Sequence, residues 1–417
     1  MSNLSQPARL YLIHAAILTF GISISELFFN LTLVALGYDR QTIRLPLLGE
    51  LSILGVLNSL PVLAAALSTP LIWWLVSRAG MRVSLLIATV LTAFSLLSLA
   101  LWPTPLPLML GIALAGPAAL LFQISAAPLM MQASSAQSRD LLFSMSAGIE
   151  IGVAGLGSLV GGLLPGLAAH LLDLAPQSAE AYRVTFAVAA GVVLVSALPL
   201  LPLRVSIATD QATSPLSSAD ELLHSLVVTP WATLRFLVSP LLISCGAALL
   251  IPYLGLYFRL RYSTPDAILG LILAVIGVVT GLATLLAPRL SSRFGKPGSV
   301  VITQILSIPC LLLLGLAPVL WMAAAVAVVR GALMNMASPL YQAHAMEQTP
   351  EAARPLVIGL IGGAYSVGYI IGPTMSAEIQ RSYGFSPIFA ATAACYCLAA
   401  LANYLIFIRP GGRVEDI

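Results

Sequence analysis

Charge is what this sequence has least of. Only 8% of its 417 residues are Asp, Glu, Lys or Arg, against roughly 25% in a soluble globular domain, too few to cover a water-facing surface. Lysine is almost missing: Lys296 stands beside 18 arginines. A net charge of +3 is too small to suggest a nucleic-acid partner. The four cysteines, Cys245, Cys310, Cys395 and Cys397, all lie in apolar runs, where a free thiol behaves as a small hydrophobe. Cys395 and Cys397 point to different faces of one helix, which argues against a metal site. There is no Gly-x-x-x-x-Gly-Lys-Ser/Thr phosphate loop, no His-Glu-x-x-His zinc motif and no Gly-x-Ser-x-Gly elbow. An enzyme, an ATP-driven pump of the usual design and a bound cofactor are therefore not expected.

What is present is hydrocarbon. Apolar residues make up 59% of the chain and come in runs of roughly 20, enough to cross a ~30 Å core as helices. The dyad alternation of a membrane barrel is missing. Gly, Pro and charged clusters divide the runs at 10–36, 45–76, 83–102, 108–132, 141–172, 181–203, 236–260, 267–290, 298–317, 319–345, 356–380 and 386–408. The first follows Arg9 and is too long for a signal-peptide core, so it reads as a retained helix. The expectation is an all-α membrane protein of twelve transmembrane helices.

Twelve spans put both termini on one side. With the termini cytoplasmic, Arg9, Arg78, Arg82, Arg139, Arg204, Arg235, Arg289, Arg293, Lys296, Arg354, Arg409 and Arg413 fall inside, and Arg40, Arg44, Arg183, Arg259, Arg261 and Arg381 outside. That bias favours a multi-pass cell-membrane protein with both ends in the cytoplasm. A Ser-, Asp- and Pro-containing stretch, DQATSPLSSADE at 210–221, reads as a flexible linker. The expected domains are a six-helix bundle at 1–205, a cytoplasmic linker at 206–234 and a second bundle at 235–417.

The halves also repeat. At an offset of 215 residues, Arg78 and Gly80 fall on Arg293 and Gly295, Met131 on Met346, Arg139 on Arg354, Gly148 on Gly363 and Gly157 on Gly372. Coincidences at one offset, in matching places of the topology, argue for duplication into two pseudo-symmetric six-helix bundles.

The loop after the second span reads WWLVSRAGMR at 73–82, and the loop after the eighth reads PRLSSRFGK at 288–296. These resemble the signature loop of the major facilitator superfamily (MFS), Gly-x-x-x-Asp-Arg-x-Gly-Arg-Arg/Lys, through Arg78, Gly80 and Arg82 and through Arg293, Gly295 and Lys296. Ser77 and Ser292 stand where the family has Asp. The Gly-rich fifth span, GVAGLGSLVGG at 152–162, and Gly372-Pro373 in the eleventh add to the likeness. RGALMNMASPLYQ at 330–342 is similar to bacterial drug or sugar exporters of that family. The resemblance covers the whole chain in topology. It implies secondary transport by alternating access, with a substrate site between the halves near the bilayer midplane, and gating at the two loops. It slightly favours export. The family's Asp latches one conformation, so Ser77 and Ser292 keep a second reading open: a sensor or assembly factor that retained the fold and lost transport.

Ionisable groups inside a membrane helix are expensive and face the bundle interior or a wet path. Glu26 lies deep in the first span, on one stripe with Ser23 and Asn30. Glu150 lies about 14 Å into the fifth, at 1.5 Å per residue. Each reads either as a proton- or cation-binding carboxylate or as a buried structural partner. Arg330, near the middle of the tenth span, cannot shed its charge and needs an anion: a carboxylate, an anionic substrate, or carbonyls that fix packing. At the repeat offset Tyr365 is the counterpart of Glu150, and Tyr369 follows one turn later. Gln123, Tyr253, Tyr257, Asn335 and Gln342 complete the polar positions that line a path or bond helix to helix, with Pro252 kinking the seventh span before Tyr257. His344 reads as a solvated or capping residue. The expected partners are a small-molecule substrate, a proton or other coupling ion and the lipid bilayer, with the chain a monomer.

Overall fold

In a computed structural model of the chain, residues 5–45, 49–134, 139–203, 230–349 and 354–409 are described. They are almost wholly helical, as hydrocarbon demands: without water to bond, every backbone N–H and C=O must find its partner within the segment.

The first span is α1 (Gln6–Glu26) running on through Leu27 into α2 (Phe28–Ala35). Ser5 caps its start, the hydroxyl accepting from the Ala8 amide at 3.3 Å. A short antiparallel hairpin follows, β1 (Thr42–Leu45) with β2 (Gly49–Ser52), pairing Arg44 with Glu50. Next come α3 (Ile53–Leu101), α4 (Pro105–Ala113) continuing as α5 (Ala115–Ala133), α6 (Arg139–Leu171) and α7 (Ala179–Val195). The second half holds α8 (Pro230–Leu250), a 3-10 turn at Ile251–Tyr253, α9 (Leu254–Tyr262), α10 (Asp266–Leu316), α11 (Leu320–Glu347), α12 (Arg354–Tyr383) and α13 (Ser386–Phe407).

Ten of the resulting helical stretches are long and apolar enough to cross a membrane. Two of them, α3 and α10, each carry two spans, at 49 and 51 residues, because each breaks at a glycine. Gly80 has φ 77°, ψ 165° and Gly295 φ 70°, ψ 166°, a region essentially closed to residues with a Cβ. Among the described residues twelve spans result, in line with the hydropathy runs. The second span starts later than expected, at Ile53 rather than near 45. The strand β2, entered at Gly49 with φ +77°, stands directly before it.

The helices form two compact units. The first holds the described residues up to 203 together with Gly255–Val278. The second holds those from 230 to Leu254 and from Val279 onward. The division at 1–205, 206–234 and 235–417 therefore stands as a proposal. Most of the linker lies outside the described residues, and the segment after the Pro252 turn groups with the first unit. In that unit Gly162 of the fifth span lies against Gly270 of the eighth, where an added Cβ would sit 3.0 Å from the Gly270 Cα.

Each unit has its own core. The first packs Leu85, Ala126, Met130 and Leu142 together with Tyr11 and Leu200. The second packs Val300, Tyr341, Ala345 and Val357 with Phe236. The four residues named first in each set are 215 positions apart, so duplication reaches the buried side chains. Glycine sets how closely helices approach. A Cβ on Gly157 would stand 2.8 Å from the Phe20 carbonyl oxygen in the first span, and one on Gly372 would stand 2.5 Å from the Ala248 Cβ in the seventh.

Candidate functional site

The loops after the second and eighth spans share one geometry. Ser77 donates to the Trp74 carbonyl at 2.9 Å, and Ser292 to the Arg289 carbonyl at 2.8 Å. Each serine turns back on its own helix. Ser84 and Ser299 bond the carbonyls of Gly80 and Gly295 at 2.9 and 2.7 Å. Around these turns the cations differ. Arg78 lies over the Trp74 ring at 5.0 Å, and Arg293 over the Phe294 ring at 5.3 Å. Arg82 donates from Nε to the Leu200 carbonyl at 2.9 Å, capping the end of the sixth span, where a cation also meets the negative end of the helix. Lys296 pairs with Glu347 at the end of α11.

In the first unit, Glu26 is exposed, with no ion pair among the described residues. The stripe it was expected to share divides. Ser23 is buried where the fifth span crosses at Gly157, and Asn30 exchanges amide hydrogen bonds with Asn58 of the second span at 2.6 and 3.3 Å. Glu150 is half-buried and accepts from Ser146 at 3.3 Å. The buried Tyr11 lies beside both, within reach of the Ser146 hydroxyl and the Glu150 charge. Sequence reasoning passed over Tyr11, because one tyrosine in an apolar run carries no signal. Gln123 is exposed on α5.

The first unit also holds a cluster that was not anticipated. Arg259 pairs with Asp266, and both meet Tyr182. The phenol donates to the Asp266 carboxylate at 3.3 Å and accepts from Arg259 Nη1 at 3.1 Å. The signal was present as opposite charges seven positions apart, Arg259 and Asp266. Tyr257, buried nearby, meets Tyr262 hydroxyl to hydroxyl at 3.5 Å.

In the second unit Arg330 is only 6% exposed. Its Nη2 donates to the Tyr396 hydroxyl at 2.9 Å, its guanidinium carbon lies 5.9 Å from that ring's centre, and its Nε has no partner. Tyr365 and Tyr369 stack at 5.8 Å, and both phenols feel the Arg330 charge. Tyr253 is sealed, bonding the Pro373 carbonyl at 2.8 Å. Asn335 is exposed and donates to its own helix at Gly331, and Gln342 is exposed on the same helix. His344 is not solvated: it is half-buried, with its ring 5.1 Å from Phe407 and 6.2 Å from Phe236.

The Major Facilitator Superfamily model matches residues 236–416. The chain also superposes on a nucleoside transporter, NupG (TM-score 0.75, 17% identity, covering 96% of this chain and all of that one), and on a D-xylose-proton symporter (0.74, 17%, covering 98% and 99%). The match to that family model covers the second half of the chain. The chain is similar to multidrug resistance protein MdtG of Citrobacter koseri, 26% identical over 268 residues, which are 62% of this chain and 63% of that protein. MdtG of Salmonella arizonae is 25% identical over 195 residues, 45% of this chain and 48% of that protein. The chain thus matches about half to two thirds of the length of these relatives. The likeness to the solved structures, at 17% identity, shows a shared fold. That fold is multi-pass and membrane-embedded, and the relatives are named as transport or resistance proteins.

Proposed function

We propose that this chain is a secondary active transporter of a small solute, working by alternating access in a cell membrane with both termini cytoplasmic. The observation that carries the reading is a pair of carboxylates inside apolar helices, Glu26 and Glu150, neither held by a cation among the described residues. A carboxylate there is costly unless it trades its proton or meets a cation. With no phosphate loop on the chain, the free energy comes from the solute's gradient or from protons, and we assign the proton-carrying role to Glu26 and Glu150. The named relatives support small-molecule transport, with multidrug, nucleoside and xylose substrates as the classes to try, and the multidrug relatives weigh toward export.

The test is transport in proteoliposomes under an imposed pH gradient, with ethidium, uridine and D-xylose as probes. Wild type is expected to move at least one probe faster with the gradient than without it. Glu26→Gln or Glu150→Gln should keep equilibrium binding of that probe and lose the pH-driven component. Full pH-driven transport in both variants removes these residues from coupling.

The fates of Ser77 and Ser292, each bonded to its own helix, favour a second reading in which the fold serves as a sensor or assembly factor. Binding of a probe without its movement across the membrane, in wild type, would select that reading.

A further inference from the structure

Arg330 is 6% exposed, and among the described residues no carboxylate pairs with it. A guanidinium does not deprotonate in a protein, so the charge is permanent. Among the described residues Arg330 donates to a neutral phenol, Tyr396, itself 1% exposed, and its Nε is an orphaned buried donor. Uncompensated buried cations are among the costliest arrangements a fold keeps, and ordinary escape is closed. Arg330 stands ten residues into α11, about 15 Å from its start, too deep for the side chain to snorkel to a lipid headgroup.

The surroundings indicate what the missing anion looks like. Tyr365 and Tyr369 stack with their rings 28° from parallel, and Tyr365 is 42% exposed, so the cluster opens on that face of α12. Arg330 spends Nη2 on Tyr396 and leaves the Nε of its planar fork of donors without a partner. A fork fits a carboxylate bidentately, and paired tyrosine rings offer an apolar surface with polar tips.

We propose that Arg330 is an anion-binding residue, and that Arg330, Tyr396, Tyr365 and Tyr369 form a subsite for a small aromatic carboxylate. This rests on the transporter reading only for its purpose, since the binding itself does not require transport.

The probe is salicylate, with salicylamide as its uncharged analogue and tetraphenylphosphonium as a cation of similar aromatic character. Binding is measured by isothermal titration calorimetry on the purified full-length protein in phosphatidylcholine nanodiscs at low chloride. Wild type is expected to bind salicylate at least tenfold tighter than salicylamide. Arg330→Gln should lose that preference, and Arg330→Lys, with a point charge in place of the fork, should keep only part of it. Equal affinity for salicylate and salicylamide in wild type overturns the proposal, as does an unchanged salicylate affinity in folded Arg330→Gln. Where Arg330→Gln does not fold, the wild-type preference decides alone. Tighter binding of tetraphenylphosphonium than salicylate also overturns it. In parallel, pH-driven movement of ethidium, uridine, D-xylose and salicylate is followed in wild-type proteoliposomes. Salicylate binding without movement of any solute upholds the subsite and sinks the transporter reading. Movement of another solute without salicylate binding sinks the subsite alone.

Discussion

In the first unit Ser77, Gly80 and Ser84 turn the chain between the second and third spans. In the second unit Ser292, Gly295 and Ser299 do the same between the eighth and ninth, with φ and ψ within 7° at the two glycines and the same serine-to-carbonyl bonds. The cores beside the turns match position for position, Leu85 with Val300 and Met130 with Ala345. The polar interior does not match. The first unit places two carboxylates in its apolar helices, Glu26 and Glu150. The second has a buried guanidinium and stacked tyrosines, with Tyr365 at the position equivalent to Glu150. Backbone geometry and apolar packing are constraints both copies of a duplicated fold must satisfy. Charge in a membrane interior is under no such demand, so it is there that the copies diverge, and that divergence is where a division of labour would be built.

The harshest way to break the comparison is to drive apart the helix crossings. Gly161 of the fifth span lies on the Ile24 carbonyl of the first, and Gly368 of the eleventh on Ser244 of the seventh. Gly161→Leu and Gly368→Leu should each cost at or above the upper end of the about 1–3 kcal/mol typical of overpacking, because the clash is with backbone or with a side chain held against it. The readout is the yield of monodisperse protein and its thermal midpoint in detergent. Gly148→Leu, where an added Cβ meets nothing within 4 Å, is the control and should leave both nearly unchanged. Tolerance of leucine at either crossing would mean that the helices do not pack as described.

A smaller effect is expected at the turns. Gly80→Ala and Gly295→Ala force a Cβ into φ near +70° with ψ near 165°, at about 1–3 kcal/mol each. The matching geometry calls for matching losses in thermal midpoint. A loss confined to one variant would show that the two turns, though alike in shape, are not equally needed.

Much of this was legible without coordinates, because the membrane permits so few structures. Hydropathy runs gave the twelve spans, and the glycines at one offset gave the duplication. The strands at 42–45 and 49–52 overlap the expected start of the second span, since Leu45 and Leu51 look like hydrocarbon filler and only the left-handed Gly49 departs from a helix. Arg330 announced itself as a charge where charge is expensive. Tyr396, its partner, did not, because a phenol in an apolar helix is ordinary and its contact spans 66 positions. Asn30 and Tyr253 read from polarity as path-lining groups or as helix-to-helix bonds, and in the fold they bond Asn58 and the Pro373 carbonyl. Polarity tells which residues need a partner, while the fold decides whether the partner is another helix or a solute.

The mildest test compares those interhelical amides. In the first unit Asn30 and Asn58 satisfy each other. In the second, Asn403 donates to Ser239 at 2.8 Å and to Gln304 at 3.0 Å, tying the twelfth span to the seventh and ninth. Such bonds average about 0.6 kcal/mol in membranes and reach about 1.7. Asn30→Ala strips one partner and leaves Asn58 with its bond to the Leu54 carbonyl at 2.8 Å, so its cost should sit near the average. Asn403→Ala removes the hub of three spans and leaves the buried Gln304 amide without its donor, so its cost should sit near the maximum. Thermal midpoints in detergent, with Asn403→Asp as the shape-conserving comparison, rank the two. If Asn30→Ala proves the more damaging, the first span is held by that single amide pair rather than by its glycine crossings, and the packing symmetry of the two units ends at their cores.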